Sequence, residues 1–436
     1  MDYDLIIIGA GWAGFNAAIR ARELGLKAVL IENREVGGTC LNRGCIPTKA
    51  LIQSAKIYRL CKKAKTFGIS VNEPQLNFSE AQARKDKVVS QLRAGMEFML
   101  KGTDVLRGPA RILDAHTVDL GAKKIIAKFI LIAAGSKPVE LKAIKFDGKK
   151  IISSDDILNL KEIPQSLLII GGGVIGCEFA GLFSAFGSQI TIVEKMPQLL
   201  PGEDQEVARK LENSFKKKGM KISTDTDAGT IDFNNYALAL LSVGRAPSIE
   251  NLGLENAGIN LERGRIAIDN YLRTSIPNIY AAGDCTGKVL LAHFAGHQGR
   301  VAAENIASGG NNLKAASAEN IPSCIFTDPE IAGIGMNEES AQAKGIAVAV
   351  NKFDFMGSGM ARILDEADGF IKIISDKKTG QLLGASIIGP KATELIAVLT
   401  LPVQLGLGIH QLKDIVLAHP TLSESIGDCL KASKTH

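Results

Sequence analysis

The stretch "DYDLIIIGAGWAGFNAAIRARELGLKAVLIEN", residues 2–33, reads as a strand, a glycine-rich turn, a helix and a second strand. The apolar run Leu5–Ile8 predicts the first strand. Gly9, Gly11 and Gly14 follow it as G-x-G-x-x-G, and Glu32 closes the second strand 23 residues after Gly9. The three glycines allow, in turn, a tight bend, close approach of the backbone to a pyrophosphate, and close helix–strand packing. The helix N-terminus would then face the phosphate, and Glu32 could accept a hydrogen bond from a ribose hydroxyl. One such motif alone is weak, because bare matches arise by coincidence.

The pattern recurs. "SLLIIGGGVIGCEFAGLFSAFGSQITIVEK", residues 166–195, carries Gly171, Gly173, Gly176 and Glu194, each displaced by 162 from its counterpart. Gly25, at the end of the first helix, maps onto Gly187. Two accidents at one spacing are improbable, so both turns are read as nucleotide sites. Two purely structural turns in a large α/β protein is the weaker reading.

Composition bounds the rest. With 436 residues, 46% of them hydrophobic and 22% charged, the chain should fold into two to four globular domains. The net charge of +5 comes from 51 basic and 46 acidic residues spread along the sequence, with no basic block, which argues against a nucleic-acid surface. The apolar run after "MDYD" is too short and too early for a signal peptide, and no segment approaches the ~20 apolar residues of a membrane span. A cytoplasmic protein without membrane contact is therefore expected. Seven cysteines, scattered apart from one pair, do not form a secreted disulfide framework.

That pair lies in "GGTCLNRGCIPTK", residues 37–49. In an ideal helix the Cα atoms of Cys40 and Cys45 would stand ~8–9 Å apart, beyond the ~7 Å limit for a disulfide. If the two bond, the stretch cannot be regular helix throughout. Asn42, Arg43 and Gly44 offer turn chemistry and Pro47 discourages helix just upstream, so a distorted helix start is expected. A helix start also favours thiolate. A metal site is a poor reading because no second cysteine or histidine pair has ligand spacing; two unrelated thiols is the remaining alternative.

Two dinucleotide sites and a close thiol pair suggest a short electron path with a fixed flavin and a diffusible nicotinamide. In "TSIPNIYAAGDCTG", residues 274–287, a strand ends at Gly283-Asp284, where a carboxylate could hold a ribityl chain. A plain strand and acidic turn is the bland alternative. Thiol exchange needs a proton acceptor, and "AHPTLSES" supplies His419 with Glu424 five residues on. Taken alone, His419 would be an ordinary surface histidine. Glu194 would repel a ribose 2'-phosphate, which favours NAD over NADP. Cys61, Cys177, Cys285, Cys324 and Cys429 have no evident partner.

With "GCEFA", "SVGRAP", "IYAAGD", "TDPEIAGIG" and "HPTLSE" added to the thiol segment and both glycine turns, the chain resembles the flavoprotein disulfide reductases, the class I pyridine nucleotide-disulfide oxidoreductases. The resemblance covers nearly the whole length. It implies an α/β fold with two Rossmann-like dinucleotide-binding domains, one for FAD and one for NAD, plus a C-terminal α+β dimerisation domain. It implies that FAD lies against Gly9, Gly11, Gly14, Glu32, Gly38, Thr39, Lys49, Ala110, Gly135, Asp284 and Ala292. NAD would lie against Gly171, Gly173, Val174, Ile175, Gly176, Glu194 and Gly244.

The implied chemistry is oxidation of protein-bound dihydrolipoamide by NAD+. Cys40 would form the mixed disulfide with substrate, and Cys45, nearer the flavin, would carry the thiolate. Lys49 would pair with Glu178. His419, oriented by Glu424 and supplied by the other subunit of a homodimer, would take the thiol proton. The lipoyl group would arrive on a protein of a 2-oxoacid dehydrogenase or glycine cleavage complex. A glutathione or mercuric reductase is the rival within the family.

The expected organisation is a FAD domain over residues 1–147, a NAD domain over 148–271, a central segment over 272–318 that completes the FAD site, and an interface domain over 319–436. One region departs from the family. After "KKKGMKI" the relatives run through a β-meander of several tens of residues, whereas "STDTDAGTIDFNNYALAL" makes the same crossing in about twenty. The favoured explanation is that a stretch of the natural chain is absent from this sequence. A real shortening would leave a sheet edge or an apolar face uncovered.

Overall fold

The computed structural model describes residues 1–432. The N-terminal unit runs β1 (Tyr3–Ile8), α1 (Trp12–Glu23), β2 (Ala28–Glu32), α2 (Gly38–Arg43), α3 (Cys45–Lys62), α4 (Phe78–Met99), β3 (Asp104–Arg107), β4 (Arg111–Ile112), β5 (Thr117–Asp119) and β6 (Lys124–Ile132). Its sheet has the order β3-β2-β1-β6-β5-β4, parallel from β3 to β6 and antiparallel beyond. Leu5–Ile8 and Ala28–Glu32 are buried along their whole length. Strands covered on both faces need such unbroken apolar runs. Register is fixed where Ile8 pairs with Ile31 on one side and Ile132 on the other.

The chain continues through β7 (Ser136–Pro138), β8 (Ile151–Ile152), β9 (Ser166–Ile170), α5 (Val174–Ala185), β10 (Gln189–Val193), α6 (Gln205–Lys217), β11 (Lys221–Ser223), β12 (Leu238–Leu241) and β13 (Arg245–Pro247). A second sheet, all parallel, has the order β11-β10-β9-β12-β8. The duplication seen in the sequence reappears as geometry. Gly9 and Gly171 both have φ +102°. A Cβ on Gly14 would stand 1.8 Å from Gly9 O, and one on Gly176 would stand 2.0 Å from Gly171 O. Only glycine lets helix and turn approach this closely.

The short crossing from β11 to β12 does not leave the second sheet bare. Ala228, Ile231, Phe233 and Tyr236 join Leu141, Ile144 and Phe146 over the face formed by Leu168, Ile170, Val193, Ala239 and Leu241. That face is at most 2% exposed. Asp227 and Asp232 each cap a single tight turn in the crossing, the Lys150 ammonium holds Tyr236 O, and Thr226 N donates to Glu194 O. Of the two marks expected of a real shortening, an uncovered apolar face is absent from this sheet among the described residues, because the crossing itself serves as the cover, while β11 does stand at the sheet edge.

The return to the first unit comes earlier than residue 271. β13 pairs antiparallel with β7, and Ile112 N then donates to Leu252 O. Leu254, Ile259 and Ile266 already pack with Ile6, Val29 and Ile132 of the first sheet. Beyond them come β14 (Leu261–Glu262), β15 (Arg265–Ile266), β16 (Ile279–Ala281), which adds to β6, and α7 (Ala292–Ala307). α7 lies tight on α1, where a Cβ on Gly299 would stand 2.0 Å from Ala13 O.

The last unit is a five-stranded antiparallel sheet of β17 (Ser323–Ile325), β18 (Glu330–Gly335), β19 (Val348–Asp354), β20 (Phe370–Asp376) and β21 (Leu382–Gly389), in the order β17-β18-β21-β20-β19. The helices 392–404 and 424–431 bury Leu395, Leu399, Ile426 and Leu430 against it. Leu401 in the first of these helices, Leu405 just past its end and Val416 in the segment between the two are exposed. Among the described residues no helix is long and apolar enough to cross a membrane.

Candidate active site

The helix break expected between the two cysteines is present. Cys40 belongs to α2, Gly44 takes φ −143° and ψ −114°, and Cys45 is the first residue of α3. Side chains fix the break: Thr48 Oγ1 donates to Gly44 O at 2.7 Å, while Asn42 Nδ2 donates to Val36 O and Gly38 O at 3.0 and 2.9 Å. Both cysteines are free thiols in contact with one another. The bond from Cys40 brings the Cys45 thiol down to about 7, helped by Lys49 and opposed by burial and Glu178. Donation to Cys45, with burial added, pushes Cys40 far above the ordinary thiol range. Cys45 therefore ionises first. Its position at a helix N-terminus acts in the same direction. Cys45 is the more exposed of the two thiols.

One turn further along α3, Lys49 Nζ stands 2.8 and 2.6 Å from the two carboxylate oxygens of Glu178 in α5. Glu178 is 4% exposed. Phe326 completes the arrangement, donating its backbone N–H to Glu178 Oε1 at 3.0 Å and placing its ring 4.9 Å from Lys49 Nζ. This ion pair joins the thiol-bearing helix to the helix that follows the second glycine turn.

The two glycine turns present matching donor sets. α1 and α5 start at Gly11 and Gly173 with no side-chain cap, which leaves their first N–H groups open to a pyrophosphate. Glu32 accepts from Ala10 N and Arg34 N, both at 2.7 Å. Glu194 accepts from Gly172 N at 2.6 Å and Met196 N at 2.7 Å, the same bonds 162 residues on. Gly38 and Thr39 form the first turn of α2, and a Cβ on Gly38 would come within 2.7 Å of Gly11 Cα.

Asp284, in the turn that follows β16, accepts from Ser136 Oγ at 2.5 Å. Gly135 and Gly244 take positive φ, +73° and +125°. Ala292 opens α7. Val174 and Ile175 form the first turn of α5. Ala110 is buried in the apolar cluster beneath the first sheet. These donor sets and glycine cradles fit two dinucleotides.

His419 and Glu424 meet as the sequence suggested, with Nδ1 2.9 Å from Oε1. Thr421 N donates to the other carboxylate oxygen at 2.8 Å. That backbone bond, with the imidazole second, holds Glu424 below the usual carboxylate range. The His419 side chain is 82% exposed on the last unit, so within one chain it is not packed against the thiols.

Arg245 lies in "SVGRAP" and Arg43 in the thiol segment, but nothing in the sequence signalled what either would bind. Arg245 donates to Ser136 Oγ and Ser136 O at 2.9 and 2.8 Å. Arg43 binds Glu35 at 2.6 Å and stands 3.6 Å from Asp155, whose carboxyl is raised by burial. Glu35 is a near neighbour of Arg43 in sequence, but Ser136 and Asp155 are far from the arginines they meet, and only the fold brings those pairs together.

The chain belongs to the pyridine nucleotide-disulphide oxidoreductase family, whose model matches residues 3–299. A second model, the dimerisation domain of that family, matches residues 321–429, the unit with the exposed Leu401, Leu405 and Val416. Among individual relatives, a dihydrolipoyl dehydrogenase of Bacillus subtilis is 38% identical across 99% of this chain and 98% of its own. One from Chlamydia muridarum is 41% identical across 97% and 95%. The Bacillus subtilis alignment extends over 467 positions, more than the 436 residues here, so that relative has residues without a counterpart in this chain. Among solved structures, LpdA from Mycobacterium tuberculosis aligns with TM-score 0.89 at 27% identity over 98% of this chain and 99% of its own. The flavoprotein disulfide reductase RclA from Escherichia coli aligns with TM-score 0.87 at 29% identity over 98% and 99%.

Proposed function

We propose that this chain is a homodimeric, cytoplasmic dihydrolipoyl dehydrogenase that holds FAD at Gly9–Gly14 and NAD at Gly171–Gly176. Its substrate would be dihydrolipoamide carried on a protein of a 2-oxoacid dehydrogenase or glycine cleavage complex. The observation that carries the reading is the thiol pair split across a helix break, with Cys45 drawn down to about 7.

In the oxidised enzyme Cys40 and Cys45 share a disulfide. A substrate thiolate attacks Cys40 Sγ, the Cys40–Cys45 bond breaks, and its electron pair leaves on Cys45 Sγ. The second substrate sulfur then displaces Cys40, closing the lipoamide disulfide and leaving the pair on Cys40 Sγ. His419 of the partner subunit takes the thiol proton and returns it to Cys40, with Glu424 holding its Nδ1. Lys49 stabilises the Cys45 thiolate and is itself held by Glu178. When bound, FAD supplies the carrier that moves the electron pair from the dithiol to NAD+. Such an exchange is reversible where the potentials of its couples are closely matched, since about 30 mV for a two-electron couple corresponds to ~1.4 kcal/mol.

The test is an assay of NAD+ reduction by dihydrolipoamide beside reductase assays with glutathione disulfide and mercuric ion. Turnover with dihydrolipoamide alone supports the reading. Turnover only with either of the other substrates overturns it.

A further inference from the structure

Lys372 lies within β20 of the last unit, and its side chain is 3% exposed. Its ammonium stands 2.9 Å from Asp204 Oδ2, a carboxylate equally buried, and 3.8 Å from Glu206 Oε2. Glu338 is a third anionic partner. Asp204 belongs to the second unit, where its other carboxylate oxygen caps α6, accepting from Glu206 N at 2.9 Å and Val207 N at 3.3 Å. A buried cation on one unit thus grips the residue that starts a helix on another. Stability alone does not call for such a pair, because apolar residues of similar volume often serve as well.

The gripped residue ends the segment that follows β10. Glu203 N donates to Leu200 O at 3.0 Å, closing a tight turn over Pro201 and Gly202, and Ser323 Oγ of β17 donates to Glu203 Oε1 at 3.4 Å. Leu200 takes φ +49°, a left-handed form that costs a residue with a side chain. Gly38, 162 residues earlier, takes the same form at φ +58°, where glycine adopts it freely. Strain of this kind persists only where the surroundings enforce it. Burial of Leu199 and Leu200 holds one end of the segment, and Lys372 holds the other through Asp204.

The strained residue supports the second glycine turn. Leu200 N donates to Gly172 O at 2.8 Å, while Gly172 N donates to Glu194 Oε2 at 2.6 Å. Leu199 packs against the same residue: a Cβ on Gly172 would stand 2.6 Å from Leu199 Cδ2. The first turn is braced in a matching way, with Ala10 O accepting from Gly37 N at 2.8 Å, but there the brace is the thiol segment.

We propose that Lys372 is a positioning residue for the second nucleotide turn. By clamping Asp204 it keeps Leu200 N on Gly172 O, and so holds Gly171–Gly176 in the form that receives NAD. It acts through Asp204 and Leu200 rather than by touching the nucleotide. The inference rests on the assignment of NAD to that turn.

The test uses FAD-loaded full-length protein. Lys372→Met alone strands the buried Asp204 charge, so it is paired with Lys372→Met/Asp204→Asn, which leaves no fully buried charge unmatched and still caps α6. The double variant should bind NAD+ about tenfold more weakly by calorimetry. Its KM for NAD+ should rise to match, with kcat at saturating NAD+ retained. Flavin reduction by dihydrolipoamide should keep its rate, which a general loosening of the unit that carries His419 would not allow. Unaltered NAD+ affinity overturns the proposal, and so does a parallel loss of flavin reduction.

Hydrogen exchange reads the coupling without nucleotide. In the double variant the Leu200 amide should exchange faster, while residues 9–14 of the first turn keep their protection. Unchanged protection of Leu200 overturns the proposal. Gly176→Ala separates the two claims. Full NAD+ affinity in that variant removes the nucleotide assignment and the inference with it. Loss there, with full affinity in the Lys372 variants, refutes the positioning alone.

Discussion

Lys49 in α3 and Glu178 in α5 form a two-pronged ion pair, 2.8 and 2.6 Å, between the thiol-bearing helix and the helix of the second nucleotide turn. Lys49 also lowers the Cys45 thiol. One cation therefore both fastens the two units and tunes the sulfur. Replacing it should affect stability and reactivity together.

Lys49→Met should raise the Cys45 thiol above its value of about 7. It should also destabilise the protein by about 3 kcal/mol, the low end for breaking a buried pair, because Phe326 N still serves the carboxylate. Thiolate absorbance against pH and chemical denaturation measure the two effects. Glu178→Gln added to Lys49→Met should recover part of the stability, since no uncompensated charge is left in place.

Reduced protein should gain stability as pH rises from about 7 to about 9. The sign follows from an acidic group whose folded value lies below its unfolded one. Its contribution is complete above the unfolded value and is lost as pH falls through the folded value. Cys40, raised by Cys45 and by burial, works in the opposite sense at higher pH and erodes the gain. Denaturant midpoints of the dithiol form across this range test the trend. A Cys45→Ser variant should remove the rise between 7 and 9.

His419→Ala should lower turnover with dihydrolipoamide about a hundredfold or more, as loss of a general base does. Melting temperature should change little, because the side chain is 82% exposed. Mixed dimers of His419→Ala with Cys45→Ser chains provide a further check. If each site takes its base from the partner subunit, one site in such a dimer is fully defective and the other intact, so about half of the per-dimer activity should return.

Gly176→Ala should remove NAD+ binding and leave FAD in place. The added methyl would stand 2.0 Å from Gly171 O, so the second turn must open, at a cost of about 1–3 kcal/mol. The first turn, 162 residues earlier, is untouched. Flavin absorbance and calorimetric NAD+ titration of the variant separate the two sites.

Much of this architecture is legible in the sequence because its signals are local. The spacing of Gly9, Gly11, Gly14 and Glu32, repeated 162 residues on, foretells two turns whose backbone angles and carboxylate bonds match. Gly44 and Pro47 foretell the break between Cys40 and Cys45. Contacts between distant segments are not legible in this way. No periodicity ties Arg245 to Ser136, or places Ile231 and Phe233 over a face that includes Leu168. That cover explains how the domain closes with so short a crossing. Likewise, Leu254 rejoins the first unit because of what it packs against, which spacing alone does not encode.

The proposal that the Cys40–Cys45 pair is the obligatory relay between dihydrolipoamide and NAD+ is tested most directly by a single anaerobic turnover. FAD-loaded protein and its Cys45→Ser variant would each be mixed with one equivalent of dihydrolipoamide, followed by NAD+ and measurement of NADH. Intact protein should release close to one NADH per site, and the variant none. NADH formation by Cys45→Ser at the rate of the intact protein would contradict the relay.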